Sequence, residues 1–415
     1  MRRNDAGGDA VIKLGCDESL PNNWRWVEAN DVMDVRDGTH DSPKAVNEGI
    51  PLVTSKNLVG GKIDFSTCNL ISMEDHEAIS KRSSVDDGDI LYAMIGTIGN
   101  PVIVEKSREF SIKNVALFKF TKGTAVYNRY IYHFLNSNLA IRQFQSNSRG
   151  GTQKFVSLGN IRSLQIPLPP LEEQKRIAAI LDKADSVRRK RQQAIDLADD
   201  FLRSVFLDMF GDPVTNPKSL PQVKLTELSD VISGYVFKSA EYIEDGEDSV
   251  RLCRGANTLT GYFDWKDTAY WNKEKLAGIQ NYKIKAGDVI LAMDRPWISS
   301  GLKVCVFPEN ERDTYLVQRV ARIRPKNPKY TDFLYASILS KAFEKHCCPT
   351  ETTVPHISPV ELKNFNVLVP DEKLVDKYHD AVVKVRKSKL AMQKSLIEAS
   401  NAFNSLSQKA FAGEL

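Results

Sequence analysis

Ile161-Arg162-Ser163-Leu164-Gln165-Ile166-Pro167-Leu168-Pro169 is a short alternating stretch closed by proline, and from Leu171 to Phe210 the chain then runs without a Pro or a Gly. Alternation ending in proline reads as a strand, and an unbroken tract of that length reads as a long helix. The same signal returns 201 residues later, in Leu362-Lys363-Asn364-Phe365-Asn366-Val367-Leu368-Val369-Pro370 and the tract from Glu372 to Phe411. At that offset Ala198 matches Ala399, Ser204 matches Ser405 and Phe210 matches Phe411, although identities are few. The repeat lies in register rather than in letters.

The register predicts how the two tracts associate. Ile177, Leu181, Ala184, Ile195, Ala198, Leu202, Val205 and Met209 fall on alternating three- and four-residue steps. Tyr378, Val382, Val385, Met392, Leu396, Ala399, Phe403, Leu406 and Ala410 do the same in the second tract. This is the a/d seam of a coiled coil. Such a tract makes a rod of about 60 Å at about 1.5 Å per residue, and it cannot bury an apolar stripe alone. With a second rod of equal length in the chain, an antiparallel intramolecular pair is expected. Two separate amphipathic helices, each packed on its own domain, are the alternative. Arg188, Arg191 and Lys389 interrupt the seam, so its middle is expected to be wet or to meet a partner.

Upstream of each rod lies a globular segment. Both segments carry a Gly-Asp before an apolar run, Gly88-Asp89-Ile90-Leu91-Tyr92-Ala93-Met94 and Gly287-Asp288-Val289-Ile290-Leu291-Ala292-Met293, which reads as a turn entering a buried strand. A helix-like stretch follows in each, Tyr130-Ile131-Tyr132-His133-Phe134-Leu135 and Phe333-Leu334-Tyr335-Ala336-Ser337-Ile338-Leu339. The fold class is α+β. The expected layout is a disordered leader at 1–20, a first globular domain at 21–160, a strand-plus-helix repeat at 161–212, a second domain at 213–361 and a second repeat at 362–415.

Composition bounds the function without deciding it. The 415 residues suffice for two or three domains, and 42% apolar with 27% charged residues is ordinary for a folded chain. A net charge of +4 permits nucleic-acid binding without requiring it. No run of roughly 18 apolar residues suggests a membrane helix, and the first residues lack the apolar core of a secretory signal. Six cysteines without a C-x-x-C pair fit a reduced, cytoplasmic chain.

Catalytic motifs are missing. Gly60-Gly61-Lys62 lacks the rest of a phosphate-binding loop, and Gly96-Thr97-Ile98-Gly99 is only a G-x-x-G. Asn216-Pro217-Lys218-Ser219 fails as a methyltransferase motif, and Pro370-Asp371 lacks a downstream nuclease Glu-x-Lys. His346, Cys347, Cys348 and His356 lack the second Cys pair of a zinc site. Asp89 and Asp288 read as turn residues rather than catalysts.

Several polar loops instead carry groups suited to DNA. Arg reads guanine, Asn and Gln read adenine, and Lys, Ser and Thr hold phosphates. In the first segment the candidates are Arg36, His40, Lys56 and Asn57, with Arg149, Gln153 and Lys154 in the glycine-bearing loop before the strand. In the second they are Lys238, Arg254, Asn257 and Arg295, with Thr352 and Thr353 in the corresponding loop. The base readers are expected among Arg149, Gln153, Lys154, Arg254, Asn257 and Arg295. Ordinary solvated loops are the competing reading of each.

Beyond these residues, the chain resembles the specificity subunits of type I restriction-modification systems. The likeness is carried by Leu20-Pro21-Asn22-Asn23-Trp24, by Gly151-Thr152-Gln153-Lys154-Phe155-Val156-Ser157-Leu158, and by Ile166-Pro167-Leu168-Pro169-Pro170-Leu171-Glu172-Glu173-Gln174-Lys175-Arg176-Ile177. Val354-Pro355-His356-Ile357-Ser358 and Phe411-Ala412-Gly413-Glu414-Leu415 match as well. The second copy departs from the pattern at Pro370-Asp371-Glu372-Lys373. The resemblance implies two target recognition domains, each reading half of an asymmetric bipartite site on double-stranded DNA, with the paired rods setting their separation. It also implies two methyltransferase subunits docked on the rods, bringing S-adenosylmethionine, and restriction subunits that use ATP. No cofactor or metal is expected on this chain, and no catalysis by it. A coiled-coil adaptor that never touches DNA is the alternative from another class, with Arg188-Arg189-Lys190-Arg191 as its discriminator: in an adaptor this run is only a solvated face.

Overall fold

The computed structural model describes residues 20–96, 98–120, 125–147, 155–348 and 356–415, so the leader expected at 1–20 lies outside the described residues except for Leu20. The chain divides into two units, one made by the chain up to Gln192 with Lys394–Leu415, the other by Gln193–Gln393. Each unit holds one globular segment, the adjoining half of the rod that follows it, and half of the other rod.

The two units repeat one topology. In the first, a four-stranded antiparallel sheet has the order Asp34–Asp37, Val115–Lys119, Ile90–Ala93, Gly99–Ile103. In the second the order is Ser229–Ser233, Val320–Pro325, Val289–Ala292, Val304–Val306. Each is joined by a three-stranded sheet with one antiparallel and one parallel partner, centred on Ile50–Val53 and on Ser249–Cys253. The strand before each rod pairs back to the start of its own segment, Gln165–Leu168 with Arg25–Glu28 and Asn366–Leu368 with Gln222–Lys224.

The Gly-Asp landmarks are turns, as expected. Gly88 and Gly287 take φ of 83° and 82°, a left-handed backbone that favours glycine. Asp89 accepts the Asp86 N–H at 2.8 Å and pairs with Lys119 at 2.9 Å. Asp288 accepts the Lys285 N–H at 2.7 Å and takes Arg324 in a fork, at 2.7 and 2.6 Å. These buried carboxylates are occupied by the turn, and the apolar run behind each becomes a strand buried at all four positions.

Leu171–Phe210 and Glu372–Ala412 are single helices. In the first unit Arg176 donates to the Leu415 carbonyl at 2.6 Å, Arg188 lies 5.0 Å over the Phe403 ring, and Arg191 donates to the Ser395 carbonyl. In the second, Asp199 meets Lys389 at 2.6 Å and Phe206 packs on Tyr378 at 5.7 Å. Rising numbers on one rod meet falling numbers on the other in both units, so the rods pair antiparallel. Ile177, Leu181, Ile195, Tyr378, Val382, Ala399, Phe403 and Ala410 are buried in the seam, each larger one worth roughly 1.5–3 kcal/mol. Arg188, Arg191 and Lys389 are neither idle nor simply wet, because each touches the opposite rod.

The matched phenylalanines explain the repeat at the rod ends. Phe210 closes the first rod in the core of the second segment, 4.9 Å from Phe333 and 5.4 Å from Tyr378. Phe411 closes the second rod in the core of the first segment, 5.4 Å from both Tyr130 and Phe134. A left-handed glycine follows each, Gly211 at φ 81° beside Pro217 and Gly413 at φ 76° beside Pro21.

Candidate nucleic-acid interface

The end of each four-stranded sheet opposite the Gly-Asp turn gathers the loops that carry polar side chains. Leaving the buried strand, Met94 accepts the N–H of Val156 at 3.0 Å, and Met293 accepts that of Ile357 at 2.9 Å. The chain that follows 148–154 and 349–355 therefore rejoins the fold at equivalent places. Two backbone positions there are left-handed in both copies. The first is Gly96 at φ 78° and Arg295 at φ 43°, and the second is Asn114 at φ 53° and Arg319 at φ 65°. Gly and Asn accept that conformation readily, whereas an arginine there costs roughly 1–2 kcal/mol. The second copy has an arginine at both.

In the second unit these arginines belong to a basic cluster around one acid. Arg319 donates to Asp294 at 2.6 Å, and the His356 ring nitrogen Nδ1 lies 2.5 Å from the same carboxylate. Burial pushes the Asp294 carboxyl up, but the Arg319 hydrogen bond and charge and the nearby His356 outweigh it, leaving it below its usual range. Lys303 donates to the Gly255 carbonyl at 3.0 Å. The pKa of its ammonium is lowered chiefly by burial, with Arg295 adding to the effect and Asp294 opposing it. Arg295 is exposed, and no hydrogen bond or ion pair among the described residues holds its guanidinium.

Among the described residues the first unit is less charged at the corresponding end. His40 lies 2.8 Å from Asn114 Oδ1 through Nδ1 and 2.9 Å from Asp37 through Nε2. Ser55 donates to the Asn114 carbonyl at 3.3 Å, which brings the exposed neighbour Lys56 to this end. Lys113 donates to the Ser42 hydroxyl alongside.

The structure thus brings His40 and Lys56 together in one unit and Arg254 and Arg295 in the other. Arg36 is committed elsewhere, to Asp34 at 2.6 Å and to the Arg82 carbonyl at 2.9 Å. Lys238 stands well exposed, 3.8 Å from Glu241. Arg254 is half-buried and donates to the Asp267 carbonyl and to Asn257 Oδ1.

Asn57 and Asn257 correct the expectation placed on them. Both are buried, 3% and 1% exposed. The Asn57 amide accepts from Thr54 N at 2.9 Å and donates to the Asp64 carbonyl at 3.2 Å. The Asn257 amide accepts from Arg254 N at 3.1 Å and donates to the Asp264 carbonyl at 3.0 Å. They are matching staples inside a repeated loop and present no amide to a base edge.

Arg149, Gln153, Lys154, Thr352 and Thr353 lie outside the described residues. Lys303 and Arg319 were not among the sequence candidates. Each sits alone in its stretch of sequence, and only folding brings it beside Asp294. Among the described residues there is no group of three or more metal-ligating side chains, and no helix is long and apolar enough to cross a membrane.

Residues 21–197 match the family model described as the type I restriction modification DNA specificity domain. The chain is similar to the MjaVIII specificity subunit of Methanocaldococcus jannaschii, 26% identical over 306 residues that cover 70% of each protein. It is similar as well to the EcoKI specificity subunit of Escherichia coli, 22% identical over 431 residues, 95% of this chain and 90% of that one. Among solved structures, the S subunit from M. genitalium shares the fold with a TM-score of 0.51 at 15% identity, over 96% of this chain and 98% of that one. A chain from a study of type I R-M complex assembly aligns with a TM-score of 0.52 at 19% identity, over 96% of this chain and 100% of that one.

Proposed function

This chain belongs to the specificity subunits of type I restriction-modification systems, a non-catalytic family that confers DNA sequence specificity, and from that premise we propose that it reads an asymmetric, two-part target on double-stranded DNA. Each globular segment reads one half, through the sheet end where the polar loops meet. One observation carries this reading most directly: at two left-handed positions where the first copy has Gly96 and Asn114, the second has Arg295 and Arg319. Backbone strain retained under two arginines of one basic cluster supports a role for their side chains in binding. The unlike sequences of the two segments support unlike half-sites.

The paired rods dock two methyltransferase subunits. Support comes from apolar side chains that the seam leaves outward, among them Leu197 and Phe201 on the first rod and Leu390 and Ile397 on the second, each more than half exposed. Those subunits hold S-adenosylmethionine, restriction subunits hold ATP, and this chain holds neither. The complex works in the cytoplasm.

Single-molecule sequencing of DNA from cells that express this chain with its methyltransferase subunit tests the proposal. Methyladenine is expected at one asymmetric two-part sequence, lost when this chain is omitted, and a replaced first segment should alter only one half of it. Unmodified DNA from cells that contain the assembled complex would overturn the reading.

A further inference from the structure

We propose that the joints between the globular segments and their rods are keyed against each other, so that each segment packs stably only on the rod that follows it. The proposal concerns packing within each unit and does not depend on what the segments bind.

In the first joint the rod supplies the polar groups. Gln174 is fully buried; its Oε1 accepts the Tyr127 N–H at 2.8 Å, and its Nε2 donates to the carbonyls of Ala125 and Pro169 at 2.8 and 2.9 Å. Two turns along, Asp182 receives Arg129 in a fork, both bonds at 2.6 Å, with His133 Nε2 at 2.8 Å.

The second joint reverses this. The helices Asn128–Leu135 and Thr331–Ile338 correspond, since their first side chains donate to the Gly88 and Gly287 carbonyls at 2.9 and 3.1 Å. Arg129 therefore corresponds to Asp332, which is 3% exposed. Asp332 accepts from Arg386 at 2.6 Å and lies 2.8 Å from His379 Nδ1. The acid stands on the rod in one joint and on the segment in the other. Counting from the matched helix starts Leu171 and Glu372, Gln174 corresponds to Val375, which is 1% exposed in an apolar cluster with Phe333. Among the described residues only the solvated pair Lys329–Asp376, at 3.0 Å, has the other polarity, and such a pair contributes little.

A mismatched joint fails on both counts. The second segment on the first rod sets Asp332 against Asp182 and buries the Gln174 amide against apolar groups. The first segment on the second rod sets Arg129 and His133 against His379 and Arg386, and leaves the Tyr127 N–H and Ala125 carbonyl facing Val375. The buried Asp332 carboxylate and Gln174 amide are costly when left unanswered, whereas repulsion among the half-exposed Arg129, His379 and Arg386 adds less.

The test is a chain in which Ala29–Leu164 and Leu225–Phe365 exchange places. The backbone bonds Ala29 N to Leu164 O, 2.9 Å, and Leu225 N to Phe365 O, 2.8 Å, mark equivalent ends for the exchange. Its melting temperature should fall by roughly 5–10 °C. Trading the rod residues as well (Gln174 with Val375, Ala178 with His379, Asp182 with Val383, Asp185 with Arg386) should recover more than half of that loss. An exchanged chain as stable as the parent, with its rods untouched, overturns the proposal. If the exchanged chain yields no folded protein, a cycle in the parent order decides. Asp182→Arg should lower the melting temperature, and Arg129→Asp with Asp182→Arg, which gives the first joint the polarity of the second, should restore more than half. A double variant melting no higher than the single one overturns the keyed polarity.

Discussion

A left-handed arginine has a ready control in this chain, because the other copy of the fold shows what the backbone alone would accept. Arg295→Gly and Arg319→Asn give each position its counterpart's residue. Together they should move the melting temperature by no more than about 2 °C, since relieved strain offsets the weak exposed ion pair and the added chain entropy. DNA affinity, measured in the assembled complex at fixed salt, should nevertheless fall by about 1–3 kcal/mol for each base-reading arginine removed. A second prediction at this scale concerns Asp182. Burial raises its carboxyl, but His133 and Arg129 outweigh that and hold it well below the usual carboxylate range. Its folded value thus lies below its unfolded one, so the contribution is complete above about pH 4–5 and is lost as pH falls toward the folded value. The difference in melting temperature between the parent and Asp182→Asn should shrink below about pH 4; a constant difference would contradict the linkage. Residue types were legible in sequence, but their orientation was not. Asn57 and Asn257 carry the right amide for adenine, yet each lies under a loop whose backbone bonds consume it. Nothing local distinguishes an amide that faces a groove from one that staples a turn.

Among the elements, the rods were the most legible, because a three- and four-residue apolar period sustained over about ten turns has few other solutions. Their paired ends make a matched test. Phe210→Ala and Phe411→Ala each empty a fully enclosed aromatic site and should each cost about 3–5 kcal/mol in chemical denaturation. The damage should appear in the segment that receives the ring, with hydrogen exchange rising around Phe333 for the first and around Tyr130 and Phe134 for the second. What the period concealed was the use of its interruptions. Arg188 stacks on Phe403, far away in sequence, and Arg189 pairs with Asp185 at 3.1 Å. Arg188 and Arg191 are therefore part of the rod pair, whereas Arg189 and Lys190 stand on its exposed face. Replacing all four by glutamate would test rod stability before it tested any partner.

For the whole molecule, the duplicated layout was visible only at a few fixed points, namely the Gly-Asp turns, the strands closed by proline and the matched phenylalanines. Backbone geometry at the turns and strand ends, and an enclosed core site at each phenylalanine, demand particular residues there and tolerate almost anything between, which is why two segments with one topology share so little sequence. The basic cluster around Asp294 was hidden for the same reason, since it assembles from separate turns that only the sheet brings together. The keyed joints tie each segment to a rod, not to a place in the reading order of the chain. Gly413 packs directly against Pro21, as Gly211 packs against Pro217, so each rod hands over to the start of a segment through the same kind of turn. One of these junctions is crossed by the chain, and the other is made by contact alone within the first unit. A chain opened after Asp212, with Leu415 joined to Leu20 by a short flexible link, should melt within a few degrees of the parent, and its halves would be translated in the opposite order.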